Sequence, residues 1–118
     1  MRIFISHSLG DSEKAAEVAR ALAESGHDVV ARDSGDDPLK RADAMVVLLS
    51  PESTRSPFVR REIDFALLNP RFAGRLISVS LGSTSEEPWI LRRLRSFQAG
   101  ADLGETGRRI AKALEKTA

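Results

Sequence analysis

The 118-residue sequence contains no cysteine, which excludes disulfide bonds, thiolate metal sites and a thiol nucleophile. It also lacks an excess of one charge. The formal net charge is +1, so no overall field attracts the chain to nucleic acid or to a membrane surface. The longest apolar run covers residues 44–49 and is far too short to span a bilayer. No signal peptide precedes the strand-like start at Ile3, so we expect a cytoplasmic protein.

Several functional motifs are missing as well. The sequence has neither a G-x-x-x-x-G-K-[ST] segment nor a G-x-G-x-x-G segment, the usual loops that bind nucleotide phosphates. No G-x-S-x-G elbow surrounds Ser50, Ser53 or Ser56, so turn and cap roles account for these serines better than nucleophilic catalysis. No metal site is predicted, because His7 has no second histidine near it in the sequence.

Apolar runs and helical patterns alternate along the chain, which is typical of a parallel sheet with helices on both faces. Strands are predicted at residues 3–5, 29–31, 44–49 and 76–81, with a weak fifth edge strand at 96–98. One helix is predicted after Ser8, with Asp11 completing a capping box, and a second from Pro57 to Leu68 with Ser56 as its cap. A short helix at 89–94 and a closing helix over 103–114 complete the pattern.

The expected architecture is a single α/β domain over residues 1–118. It is a flavodoxin-like three-layer sandwich with a parallel five-stranded sheet of order 2-1-3-4-5. In such sheets, ligands bind beyond the carboxyl ends of the strands, at the point where the strand order reverses. This point lies between the first and third strands. The candidate binding loops are therefore residues 6–11 and 50–56.

Glu62 has an unusual position on the second predicted helix. Other charged residues of this helix face away from its apolar side, whereas Glu62 falls between Ala66 on one flank and Phe58 and Phe65 on the other. Two interpretations follow. The side chain either packs its stem at the core boundary and keeps its carboxylate in water, or it holds a partly desolvated carboxylate in a cleft, as catalytic acids often do. Helix geometry alone leaves both open.

The loop after the first strand carries weaker signals. Ser6 and Ser8 stand at the strand exit, where they can bind phosphate together with the N-terminus of the next helix. Helix capping alone would also explain Ser8. The residues therefore allow both a ligand-binding and a purely structural interpretation of this loop.

Three segments taken together resemble a TIR domain (Toll/interleukin-1 receptor homology domain). Residues 3–8, followed by Asp11, resemble the opening box of the family, and residues 42–51 are similar to its central strand. The third segment is S-x-x-S-x-F-x-x-x-E-I, which begins at Ser53 and contains Phe58 and Glu62. Phe58 stands where the family commonly has tryptophan. The resemblance covers essentially the whole chain in order and spacing.

This resemblance implies an enzyme that cleaves NAD+ between nicotinamide and ribose. The product would be ADP-ribose or a cyclic ADP-ribose isomer, made in immune (antiphage) or cell-death signalling after self-association. Carried over to this sequence, Glu62 is the catalytic glutamate. The substrate-binding residues are Ser6, His7, Ser8, Asp33, Ser56 and Phe58. NAD+ is the substrate, and no cofactor is implied.

Two other functions fit the same sequence. One is a non-catalytic module that binds other TIR domains, and residues 33–41 favour it because both the loop and the helix before the third strand are shorter than is usual in the family. The other is a nucleotide N-glycosidase or deoxyribosyltransferase, since such enzymes place a glutamate similarly in a comparable fold. The presence of Glu62 favours the two enzymes, and the short segment favours the interaction module.

Overall fold

Short strands and helices alternate along the computed structural model, which describes residues 1–30, 38–81, 95–98 and 102–116. The strands are β1 (Arg2–Ser6), β2 (Asp28–Val30), β3 (Ala44–Leu49), β4 (Leu76–Ser80) and β5 (Arg95–Gln98). The helices are α1 (Ser12–Glu24), α2 (Pro38–Arg41), α3 (Pro57–Leu68) and α4 (Leu103–Glu115). Asp33 and the helix predicted at residues 89–94 lie outside the described residues.

All strand pairs in the sheet are parallel, and the order is β2-β1-β3-β4-β5. The predicted α/β fold with a parallel sheet is therefore confirmed. β3 lies between β1 and β4, and every one of its residues is buried. This burial explains why its sequence is a continuous apolar run, since a central strand is covered on both faces.

Helices cover both faces of the sheet, and the side chains of β1 alternate between the two layers. Ile3 and Ile5 pack with α1 and α4, in a core that includes Val18, Leu22 and Ile110. Phe4 packs with α3 on the opposite face, against a core that includes the residues Val47, Leu49, Val59, Ile63 and Phe72. Because neighbouring residues of a strand point to opposite faces, Ser6 points to the α3 side with Phe4.

The start of α3 agrees with the sequence prediction to the residue. Ser56 has an extended backbone, and its hydroxyl oxygen accepts a hydrogen bond from the Val59 amide at 3.4 Å. Pro57 is the first helical residue, where the absence of an N–H group costs nothing because that group has no partner within a helix. Val59, Ile63 and Ala66 then face the sheet and fix the orientation of the helix.

Two local predictions were wrong. The capping box at Ser8 does not form: α1 begins at Ser12, after a short 3-10 turn at Leu9–Asp11, and the Ser8 hydroxyl donates to the Asp11 carboxylate instead of capping a backbone amide. The second concerns His27: its place directly after Gly26 predicts an exposed residue in a turn, yet only 9% of its surface is accessible. The turn brings its ring to within 3.9 Å of the Glu115 carboxylate at the end of α4.

None of the helices in the described part of the chain combines the length and apolar character needed to cross a membrane.

Candidate active site

Polar side chains gather where β1 and β3 end, side by side at one edge of the sheet. The two strands are paired in parallel, with Ser6 beside Val47, so the loops that follow them leave from the same edge. β2 lies on one side of β1 and β3 on the other, and the strand order therefore reverses here. The N-terminal part of α3 passes over this edge and contributes the third group of side chains.

Glu62 is joined to this edge by a hydrogen bond from β1. The Ser6 hydroxyl donates to Oε1 of Glu62 at 2.7 Å, although 56 positions separate the two residues in the sequence. Ser6 is fully buried and Glu62 is half-buried. The carboxylate is therefore neither in the core nor free in water, since one of its oxygens is held by a hydroxyl group that water does not reach.

Asp11 is a second, more deeply buried carboxylate at the same edge. Its Oδ2 accepts hydrogen bonds from the hydroxyls of Ser8 at 2.8 Å and Ser50 at 2.5 Å. Ser50 is fixed in turn by Ser53, whose hydroxyl oxygen accepts from the Ser50 amide at 2.8 Å. Both serines follow the central strand β3, and both are buried. Asp11 thus connects the loop after β1 to the loop after β3.

An open groove of about 560 Å³ lies between these loops and the start of α3. Its walls are mostly apolar, and Leu9 and Phe58 are exposed there by 82% and 63% of their surface. The lining residues are Ser8, Leu9, Glu52, Arg55, Ser56, Pro57 and Phe58. Glu62 does not line this groove, but it lies one helical turn after Phe58 on α3.

His7 is half-buried and is oriented by the backbone of its own loop. Its Nδ1 lies 2.7 Å from the carbonyl oxygen of Ser8, and because a carbonyl only accepts, Nδ1 carries the proton in this contact. His7 is not among the residues that line the groove. Within residues 1–30, 38–81, 95–98 and 102–116, no three histidine, aspartate or glutamate side chains form a cluster that could bind a metal ion.

Five of the sequence-predicted residues therefore fall into two adjoining groups. Ser8, Ser56 and Phe58 line the groove, whereas Ser6 and Glu62 form the hydrogen-bonded pair beside it. Sequence reasoning missed the parts played by Asp11, Ser50, Leu9, Glu52 and Arg55. The available signals were that Asp11 belongs to the loop after β1 and that Ser50 is the first residue after the most apolar strand.

Comparisons with known proteins agree with this architecture. Residues 3–116 match the sequence profile of the family described as TIR domain. No significant match was found among curated proteins.

Among solved structures, the chain is similar to the TIR domain of the Toll-related receptor TRR-2 from the lower metazoan Hydra magnipapillata, with a TM-score of 0.72. That alignment covers 98% of this chain and 95% of the Hydra chain at 16% identity, and so demonstrates a shared fold alone. Because the profile match spans nearly the whole sequence, the chain belongs to the TIR domain family.

Proposed function

We propose that this TIR domain is an NAD+ glycohydrolase or cyclase in which Glu62 is the catalytic carboxylate. The observation that carries the proposal is the 2.7 Å hydrogen bond from Ser6 to Glu62 at the carboxyl edge of the sheet. A buried hydroxyl that donates to one carboxylate oxygen orients the group at the edge where the strand order reverses. Such an arrangement suits a reaction in which positive charge develops beside a fixed anion.

The chemistry needs one carboxylate and no acid. When the bond between ribose C1′ and the pyridinium nitrogen breaks, its electron pair stays on nitrogen, and nicotinamide leaves as a neutral molecule. The positive charge passes to the ribose as an oxocarbenium ion, which the carboxylate of Glu62 stabilises electrostatically. Water then attacks C1′ and releases a proton, giving ADP-ribose. Attack on C1′ by a nucleophile of the same molecule, either an adenine ring nitrogen or a hydroxyl of the adenosine ribose, with loss of one proton, instead gives cyclic ADP-ribose or an isomer of it.

The groove beside Glu62 supports the choice of substrate. Exposed apolar side chains are costly to hydrate, and Phe58 and Leu9 provide two such surfaces for a planar base. Arg55 also lines this groove, and its side chain carries the positive charge that suits a pyrophosphate. In this proposal Ser6, His7, Ser8, Ser56 and Phe58 surround the substrate, and Asp33 belongs to the same set. We place the activity in immune (antiphage) or cell-death signalling in the cytoplasm, switched on by self-association.

One assay tests the proposal. Concentrated protein is incubated with NAD+, and nicotinamide, ADP-ribose and cyclic isomers are separated by chromatography, for the wild type and for Glu62→Gln. The amide keeps the size of the side chain and an acceptor for Ser6 but removes the charge, so we expect nicotinamide release to fall at least about 100-fold. Asp64→Asn makes the same change on the exposed face of α3 and should leave the rate unchanged. Equal release by Glu62→Gln and the wild type would rule out the role given to Glu62.

The second candidate function is a non-catalytic module that binds other TIR domains. It is favoured by the shortness of the segment before β3, where α2 consists of only four residues. The same assay separates the candidates. Absence of NAD+ turnover at every protein concentration, together with concentration-dependent association in sedimentation, supports the interaction module. Release of a base from deoxynucleosides, with NAD+ left intact, would instead indicate a deoxyribosyltransferase-like enzyme.

A further inference from the structure

Asp11 is a buried carboxylate, and the side chains that hydrogen-bond to it within the described residues are both neutral. Only 6% of its surface is exposed, and its two side-chain partners are the hydroxyls of Ser8 and Ser50. No ion pair joins it to a cationic side chain in the described part of the chain. The first turn of α1, which begins at the next residue, provides the remaining favourable field. A buried carboxylate is costly unless it is hydrogen-bonded, so the two hydroxyls are what hold Asp11 in place among the described residues.

The hydroxyls of Ser8 and Ser50 belong to different loops, and both side chains are buried. Ser8 is 4% exposed and ends the segment that leaves β1. Ser50 follows β3 directly, and its Oγ accepts a hydrogen bond from the Ser53 amide at 3.1 Å. A single carboxylate oxygen therefore cross-links the loops after β1 and β3, at the edge where the strand order reverses.

The cross-link also sets the position of one groove wall. The Asp11 amide donates to the Ser8 carbonyl at 3.1 Å, which closes the tight turn that presents Leu9 to the groove. The side chain of Glu52, from the opposite loop, lies against Gly10 in the space that a Cβ would occupy. The wall formed by Ser8 and Leu9 is thus held against the β3 loop at two points, by Asp11 and by the contact between Gly10 and Glu52.

We infer that Asp11 is a positioning residue that holds the Ser8–Leu9 wall at a fixed distance from the wall formed by Glu52 and Phe58. Its catalytic consequence rests on the proposed NAD+ hydrolysis. The hydrogen bonds of the Asp11 side chain among the described residues go to Ser8 and Ser50, whereas Glu62 accepts from Ser6, which is the last residue of β1 and is held by the sheet. Loss of Asp11 therefore weakens substrate binding in the groove and leaves the chemical step nearly intact.

The test measures kinetics and loop mobility in Asp11→Ala, Asp11→Asn and the milder Ser50→Ala. We expect Asp11→Ala to raise KM for NAD+ about tenfold, the scale of one lost positioned contact, with kcat within about twofold of the wild type. Amide hydrogen exchange should accelerate at residues 8–11 and remain unchanged in β3. Asp11→Asn keeps one acceptor oxygen and should recover part of both effects. Combining Asp11→Ala with Ser50→Ala should add little to either single change, because both remove the same cross-link.

Ala111→Gly in α4 controls for general loss of stability, since it lowers helix propensity at a buried position whose side chain packs in the core on the other face of the sheet from α3. It should lower the melting temperature without changing KM or exchange at residues 8–11. Unchanged exchange at these residues in both Asp11→Ala and Ser50→Ala would overturn the inference, as would a fall in kcat with an unchanged KM. A wild type that releases no nicotinamide refutes the proposed function instead. In that case the exchange measurements still decide whether Asp11 holds the loop.

Discussion

The hydroxyl of Ser6 donates a 2.7 Å hydrogen bond to Oε1 of Glu62 and joins the end of β1 to the second turn of α3. The donor is fully buried, whereas the acceptor is half-buried, so the bond spans the boundary between the core and the candidate site. A hydrogen bond to a charged group at such a boundary restricts the rotamers of the carboxylate. Its removal should therefore have a clearer effect on the catalytic rate than on the free energy of unfolding.

Ser6→Ala removes this hydrogen bond and leaves the Glu62 carboxylate in place. Hydrogen bonds to charged groups contribute about 1.5–3 kcal/mol, so we expect kcat for nicotinamide release to fall about 10- to 100-fold. Ser25→Ala is the matched control, because the Ser25 hydroxyl also makes one hydrogen bond, to the carbonyl of Ala21 at the distant end of α1. If the two variants had the same kcat, the orienting role of Ser6 would be excluded.

Phe58→Ala tests whether the exposed ring contacts the substrate. Stacking of a base on an aromatic side chain contributes about 1–3 kcal/mol, so KM should rise about tenfold or more in NAD+ kinetics. Because 63% of Phe58 is exposed, the free energy of unfolding should change by less than about 0.5 kcal/mol. Leu68→Ala removes a side chain that is 86% exposed at the other end of α3, and it should alter neither quantity. A rise in KM shared by both variants would contradict a specific contact with Phe58.

Gly107 allows a close approach between α1 and α4. A Cβ at this position would lie 2.6 Å from Cβ of Ala21 and 3.1 Å from the carbonyl oxygen of Val18, so Gly107→Ala should lower the free energy of unfolding by about 1–3 kcal/mol. Ala21→Gly alone should lower it by about 1 kcal/mol through helix propensity. In urea denaturation, the double variant should be more stable than the sum of the single effects predicts, since Ala21→Gly removes the nearest clash. Strict additivity would show that the helices can separate at little cost.

The sequence predicted best those features that depend on neighbouring residues. The bounds of α3 follow from the Ser56–Pro57 signal and the spacing of Val59, Ile63 and Ala66, and β3 follows from one uninterrupted apolar run. The topology of a parallel sheet also brings Ser6 and Glu62 to one edge. Their actual hydrogen bond, however, depends on how α3 packs across β1, which no local pattern encodes.

The errors share one physical cause, which is that distant contacts changed the local preference. Ser8 and Asp11 have the spacing of a capping box, but the hydroxyl of Ser50, in the loop after β3, donates a hydrogen bond to the Asp11 carboxylate, which is buried there. His27 follows a glycine with a φ of 92°, a typical exposed turn, yet the end of α4 covers it. In each case the deciding partner belongs to an element that is distant in the sequence.

Ser78 and Ser53 are a matched pair of buried serines with opposite hydrogen-bonding states. The Ser78 hydroxyl, in the middle of β4, has no hydrogen-bond partner among the described residues, whereas the hydroxyl of Ser53 accepts from the Ser50 amide. Ser78→Ala should therefore leave the free energy of unfolding unchanged or raise it by up to about 1 kcal/mol, because no bond is lost. Ser53→Ala leaves the buried Ser50 amide without this hydrogen-bond acceptor and should lower the free energy of unfolding by about 1–3 kcal/mol. Denaturant melts of both variants measure the difference, and a larger loss in Ser78→Ala than in Ser53→Ala would show that the β4 hydroxyl has a partner in the folded protein.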